Sequence, residues 1–504
     1  MSAKLTDKPE AMDNKVEKQH SWMYKNAQTA GLKPNVAIYG FVASWIVFLS
    51  LLQFLPTTQD FTATSRAVVA VTGWVMVIWI SDALPKGVSG LMIPVLLILT
   101  GALPKPAEAF SGFTGNEAFL CLGAFILAAV MQVTGVDKRI AMTILSRVKP
   151  KVSSLMSGFF VAHVISALFV PATVARAGMF LPIVQGVNKF LGETPEAKRA
   201  RKALAMAGIG FGSVFAAPIF LTGHMPNVII SGLLNTKANA GITWGGWLWL
   251  HWPLLGLFPL MWWWIIRHFN LKNIDIGGGA EKIQEENRKL GKMTRVEWTV
   301  LACFSIAVVL WATGSLHNIQ SGVVTLIAVS IVFIPGLLPL EWKNVQQKTI
   351  WGTWLLLGGA LCLVTAFSKS GLDTYLAKQM VNLVPAWGWL GMTLFVMVMV
   401  QVLRLGIISN VGAVTLMLPI VFAMAPLLKL NSVAFTLAVL NVDTYALILP
   451  MEVTACLIAY ASDEFSFIDF MKAGAPLTLM AILYIALVMV PWWALLGYPM
   501  WIPR

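Results

Sequence analysis

Charge is scarce in this sequence: 12% of its 504 residues are Asp, Glu, Lys or Arg, while 58% are hydrophobic. Soluble domains carry roughly 25% charged residues, so the scarcity excludes an ordinary soluble enzyme. Cysteine is nearly missing too. Cys121, Cys303, Cys362 and Cys456 all sit in apolar segments without paired spacing, which excludes a disulfide framework or metal motif and leaves small buried side chains. Acids number 23 against 36 Lys and Arg, for a net charge of +13. Those bases fall in short blocks between apolar segments, as the positive-inside rule places them, so no nucleic-acid partner is expected. The sequence has no Ser/His/Asp arrangement, no ligand cluster for catalytic zinc and no glycine-rich loop after a strand, so it is not expected to be an enzyme. The polar first 34 residues lack a short apolar region ending at a small-residue cleavage site, and no cleavable signal peptide is expected.

What the sequence does have is long apolar runs. Spans lie near 35–55, 67–82, 88–104, 117–136, 202–232, 243–266, 296–315, 321–340, 350–368, 432–462 and 475–496. Two more stretches, 153–190 and 386–428, are too long for one crossing. Basic connections are 137–152, 189–203 and 267–295; base-poor ones are 56–65, 232–242 and 313–320. A cytoplasmic amino terminus and eleven crossings put every basic loop inside, provided each long stretch enters and leaves by the same face. Both are therefore expected to be re-entrant helical hairpins, 153–190 entering from inside and 386–428 from outside. The expected fold is an all-α polytopic protein of the cytoplasmic (inner) membrane, in contact with lipid. Its parts are a polar cytoplasmic tail 1–34, a first half 35–269, a cytoplasmic linker 270–295 and a second half 296–504.

The halves echo each other. Phe180-Leu181-Pro182-Ile183 has a counterpart in Met417-Leu418-Pro419-Ile420, and Gly135-Val136-Asp137 in Gly371-Leu372-Asp373. Two echoes in the same order, on halves of opposite expected orientation, point to the inverted repeat of a secondary transporter.

Four places in the apolar runs look broken. They are Val170–Arg176, Gly406–Gly412, Thr222–Asn227 and Pro450–Thr454, each combining Pro or Gly with hydroxyl, amide or charged side chains. A broken helix at membrane depth has to line a cavity or be buried in protein. Its free N–H groups and positive dipole end suit an anion, and its released carbonyls suit a small cation such as sodium. The candidate substrate-binding residues are Thr173, Arg176, Thr222, Gly223, His224, Asn227, Ser409, Asn410 and Thr454. Those for cation coupling are Ser409, Asn410 and Glu452. Glu452 stands out because an ionisable group far from either end of a span is costly. Arg404 and Asp443 are charged neighbours of the same regions; His163, His251 and His317 are read as structural.

These residues resemble the divalent anion:sodium symporter family of dicarboxylate, citrate and sulfate carriers and 2-oxoglutarate/malate-type exchangers, over most of residues 35–496. That family carries Ser-Asn-Thr at each of two hairpin tips, followed by a Leu-Pro-Ile-like element. The second hairpin keeps two of the three motif residues, Ser409-Asn410-Val411; the first reads Ala172-Thr173-Val174 and keeps none. Ala175-Arg176-Ala177-Gly178 resembles the exchanger branch, and Pro226-Asn227 matches the ending of the family's first unwound region. The resemblance implies eleven transmembrane helices, two opposed hairpins, a homodimer held by a scaffold domain, and elevator movement of a small divalent anion held between the tips. C4-dicarboxylates or 2-oxoglutarate lead as substrates, with sodium as a coupling ion. The departures at the first motif and at Glu452 favour proton or single-cation coupling, or obligate exchange. A proton-coupled sulfate or sulfonate carrier is a further alternative, and an anion channel is the alternative of a different class.

Overall fold

Several long helices start at a side-chain cap. Thr294 and Ser466 form capping boxes with Glu297 and Asp469 at the heads of the helices Arg295–Ala312 and Phe467–Tyr484. In the computed structural model, residues 34–276, 278–407 and 409–501 are described, and among them the secondary structure is helical apart from two isolated β-bridges. The expected tail 1–34 therefore falls almost wholly outside the described residues, as does Gly277 in the linker. Eight helices among the described residues are long and apolar enough to cross a membrane. Lys86–Leu99, Ser321–Val332, Gly388–Arg404 and Ser432–Thr444 are shorter apolar helices. The helix Pro34–Phe54 exposes Val42, Ile46 and Leu49, a face suited to lipid.

The Gly-x-Asp echo marks the same local structure twice. Helix Asn116–Thr134 ends at Gly135 and helix Trp351–Ser370 at Gly371, and both glycines hold a left-handed φ, 76° and 72°, that favours glycine. Each is followed by a ten-residue helix, Val136–Leu145 or Leu372–Val381. Asp137 and Asp373 then each accept the next backbone N–H at 2.7 Å.

Packing between the halves is mirrored as well. Trp351–Ser370 lies against Lys86–Leu99, and Asn116–Thr134 lies against Ser321–Val332. Glycines allow both approaches. A Cβ on Gly359 would sit 2.2 Å from the Gly90 carbonyl oxygen, and one on Gly123 would sit 2.4 Å from the Thr325 methyl. A third mirrored pair positions the site. Thr173–Asn188, after the first hairpin turn, packs on Thr454–Tyr460 of the second half, while Asn410–Leu427, after the second turn, packs on Met225–Lys237 of the first.

The linker is tied to the base of the first hairpin. Ile276 N–H donates to the Pro150 carbonyl, Val152 N–H to the Ile274 carbonyl, and Ile283 of the helix Gly279–Lys289 is buried. On the exposed face of that helix Lys282 and Lys289 pair with Glu285 and Glu286, and those hydrogen bonds hold both carboxyls below their ordinary range.

Candidate functional site

Each of the four places coincides with an interruption of the α-helix, and the first break holds a 3-10 turn at Leu221–Gly223. Where the first hairpin is expected, residues 170–172 separate the helices Val152–Phe169 and Thr173–Asn188; where the second is expected, the helix Gly388–Arg404 ends and Asn410–Leu427 begins. The first broken helix runs from Pro195 through a π-helical turn at Met206–Phe211 to Phe215, and resumes as Met225–Lys237. The second runs as Ser432–Thr444 and resumes as Thr454–Tyr460. Released backbone groups in such places need partners. Side chains supply them.

Arg176 is fully buried, and its guanidinium donates three hydrogen bonds to backbone oxygens. They run to Val170 at the hairpin turn (2.6 Å), Gly223 in the first break (2.7 Å) and Ser213 on the half-helix before that break (2.9 Å). Arg404 is equally buried. It donates to the Ile407 carbonyl at its own turn, to the Glu452 carbonyl in the second break (2.6 Å) and to Asn410 Oδ1 (2.7 Å), and its Nε lies 3.1 Å from Asp443 Oδ1. Charge-assisted bonds of this kind are the strong ones.

Between the arginines the halves meet. Gly223 precedes His224, whose Nε2 lies 3.4 Å from Asn410 Nδ2. A continuous polar path therefore runs from Arg176 through the first break to Asn410, Arg404, Asp443 and the second break. Among the expected site residues it joins Arg176, Gly223, His224, Asn410 and Glu452.

The others have more local duties. Asn227 donates to the Ala217 and Phe220 carbonyls, both at 2.9 Å, and so closes the first break. Thr222 turns away and accepts from Trp244 Nε1 at 3.2 Å. Ser409 Oγ caps its helix, accepting Gly412 N–H at 3.2 Å. Thr173 and Thr454 are the first residues of their helices, Thr173 buried and Thr454 half-buried. The Glu452 side chain folds back on its own break, with Oε2 accepting Ile448 and Leu449 N–H at 2.8 Å each; Oε1 is buried without a hydrogen-bond partner.

Of the supporting residues, His163 was read as structural from the sequence, and Gln401 was missed. His163 Nε2 meets the Gly208 carbonyl at 2.9 Å and its Nδ1 meets Ser213 Oγ at 3.3 Å, fixing the segment that faces Arg176. Gln401 Nε2 donates to the Val442 carbonyl at 2.5 Å, beside the Arg404–Asp443 pair. The available signal was a set of single polar residues at helical spacing within apolar runs. Apart from this network, a cavity is lined by Asn116, Glu117, Asn235, Trp244, Trp311 and Ser321, among others.

Comparison with known proteins shows the family. A family model described as the sodium:sulfate symporter transmembrane region matches residues 37–499. A membrane protein of Cupriavidus necator is 25% identical over 485 residues, covering 92% of this chain and 93% of its own. The sodium-dependent dicarboxylate transporter SdcS of Staphylococcus saprophyticus is 25% identical over 480 residues, covering 90% of each chain. SdcS of Staphylococcus aureus is 28% identical over 373 residues, 69% of this chain and 70% of its own. Among solved structures, the YdaH transporter of Alcanivorax borkumensis has a TM-score of 0.53 at 13% identity, covering 82% of this chain and 99% of its own, a likeness of fold.

Proposed function

The chain belongs to the family of the sodium:sulfate symporter transmembrane region, and on that premise we propose that it carries C4-dicarboxylates or 2-oxoglutarate through a site between its two hairpin turns. Family membership makes it a secondary transporter of small anions in the inner membrane and not an enzyme, and supports sodium as a coupling ion. The SdcS relatives favour dicarboxylates within that class. The observation that carries the site is the path from Arg176 to Arg404, which draws both turns and both breaks into one network.

In this reading Thr173, Ser409, Asn410 and the turn N–H groups hold the carboxylates, with His224 beside them and Thr222, Gly223, Asn227 and Thr454 shaping the breaks. Glu452, with one carboxylate oxygen unpartnered, is the group a coupling cation meets, and Ser409 and Asn410 lie at the adjoining turn. The mirrored packing supports an inverted repeat of eleven crossings and two re-entrant hairpins, with the amino terminus in the cytoplasm. An elevator-like movement of a transport domain and a homodimer held by a scaffold domain complete the proposal. Obligate anion exchange is the second reading, favoured by the guanidinium groups at the turns.

Uptake of labelled succinate into proteoliposomes tests it, with sodium and proton gradients imposed separately and with or without internal dicarboxylate. Saturable uptake under at least one condition is expected. No uptake under any condition removes dicarboxylates as the substrate class, and passive dissipation without saturation makes the protein a channel.

A further inference from the structure

A cavity of about 330 Å³ lies where the helices Asn116–Thr134, Trp244–His251 and Ser321–Val332 begin and Arg295–Ala312 ends. Much of its wall comes from the connections 232–242 and 313–320, which are base-poor and so face outside under the positive-inside rule. Glu117 is the one ionisable side chain among the described residues that line it. Trp244 lines it too, and at the same time donates from Nε1 to Thr222 Oγ1 at 3.2 Å. One side chain thus touches both the cavity and the first break. Thr222 is buried, and the next two residues, Gly223 and His224, already belong to the path between the halves.

The Trp244 ring is held between two others. Phe220, in the break, stacks on it with centroids 6.0 Å apart, and Trp311 packs on it at 5.6 Å. Trp311 is anchored in turn by its own N–H, which donates to Thr325 Oγ1 at 3.0 Å. The backbone beside Trp244 is packed tightly, since a Cβ on Gly245 would sit 2.4 Å from the Ala312 carbonyl oxygen. Opening a way from the cavity to the break therefore takes rotation of the Trp244 side chain, against one neutral hydrogen bond and two ring contacts.

We propose that this cavity is the outward antechamber of the site and that Trp244 is the door between them. The chemistry suits an anion in transit. Glu117 repels an anion that rests in the antechamber. A carboxylate is a stronger acceptor than the Thr222 hydroxyl, so it takes the indole N–H from Thr222 and frees that hydroxyl to meet the same anion. The inference rests on the carrier reading above for the identity of the anion; the door itself is tested without one.

A cysteine reporter provides that test. Thr222→Cys is made in a chain whose four native cysteines are replaced by alanine, and spheroplasts are treated from outside with an anionic, membrane-impermeant methanethiosulfonate. Slow modification is expected with Trp244 in place, and a rate at least about tenfold higher in Trp244→Ala. Trp244→Leu, which keeps an apolar side chain but no indole, serves if the alanine variant does not fold. Gln320→Cys, on the cavity wall, should react in both backgrounds, and Leu204→Cys, buried in the half-helix before the break, in neither. The proposal is overturned by Thr222→Cys rates within about twofold of each other, by a rise seen only from the cytoplasmic face of inverted vesicles, or by a parallel rise at Leu204→Cys. The second readout is transport. Trp244→Phe keeps a ring but lacks the N–H, and should raise the KM for external succinate about fivefold while the maximal rate stays within about twofold. An unchanged KM removes the indole N–H from the path. Absence of succinate transport in the wild type counts against the substrate reading alone, and the cysteine rates still decide the door.

Discussion

Arg176 and Arg404 do the same joining work in different electrostatic company. Around Arg176 the acceptors are backbone carbonyls alone, whereas Arg404 is paired with the fully buried Asp443 and also holds the Asn410 side chain. A buried charge with a charged partner is costly to break, because removing one member strands the other. Loss of a charge that only donates to carbonyls leaves those carbonyls short of partners, a smaller penalty for each. The halves are thus alike in geometry and unlike in fragility. The first half also keeps a guanidinium with no carboxylate among its hydrogen-bond partners.

The largest expected effect breaks that comparison directly. Arg404→Met should cost about 3–5 kcal/mol of stability, more than Arg176→Met at about 1–3 kcal/mol. Adding Asp443→Asn to Arg404→Met should restore part of the loss, and thermal melts of the four proteins read the coupling. Equal costs for the two arginine variants would mean that the Asp443 pairing adds nothing.

The mirrored glycine contacts sharpen the comparison in the scaffold. Gly359→Ala drives a Cβ onto the Gly90 backbone and should cost about 1–3 kcal/mol, while Gly123→Ala meets chiefly the Thr325 methyl rather than backbone and should cost less. Melting temperatures of the pair check the order.

At the proposed site, Asn410→Asp puts a carboxylate beside the position proposed for the anion, and uptake should fall about tenfold with the fold intact. Unchanged uptake kinetics would remove Asn410 from the site. The smallest effect is at Glu452. Glu452→Gln keeps an oxygen for the Ile448 and Leu449 N–H groups and should shift stability by less than about 1 kcal/mol, while Glu452→Ala leaves both unpartnered and should cost about 1–3 kcal/mol. A large loss in the Gln variant would show that the carboxylate charge itself holds the break.

Much of the helical framework was legible because its causes are local. The four breaks follow from Pro, Gly and polar residues within apolar runs, and the Gly135 and Gly371 helix ends follow from a backbone conformation that glycine adopts easily. The network was less legible because its causes lie between distant segments. Arg176 follows its turn and Arg404 precedes its own, so no sequence echo links them, and Arg404 meets Asp443 only through the packing of separate helices. Thr222 could not be assigned from composition either, since its hydroxyl direction depends on Trp244, on another helix.

The most direct measurement is an experimental structure of the protein with a bound dicarboxylate. The account predicts anion density between the two hairpin turns, touching Asn410 or Ser409 on one side and Thr173 on the other. Density in the separate cavity lined by Asn116 and Trp244, with the turns unoccupied, would contradict it.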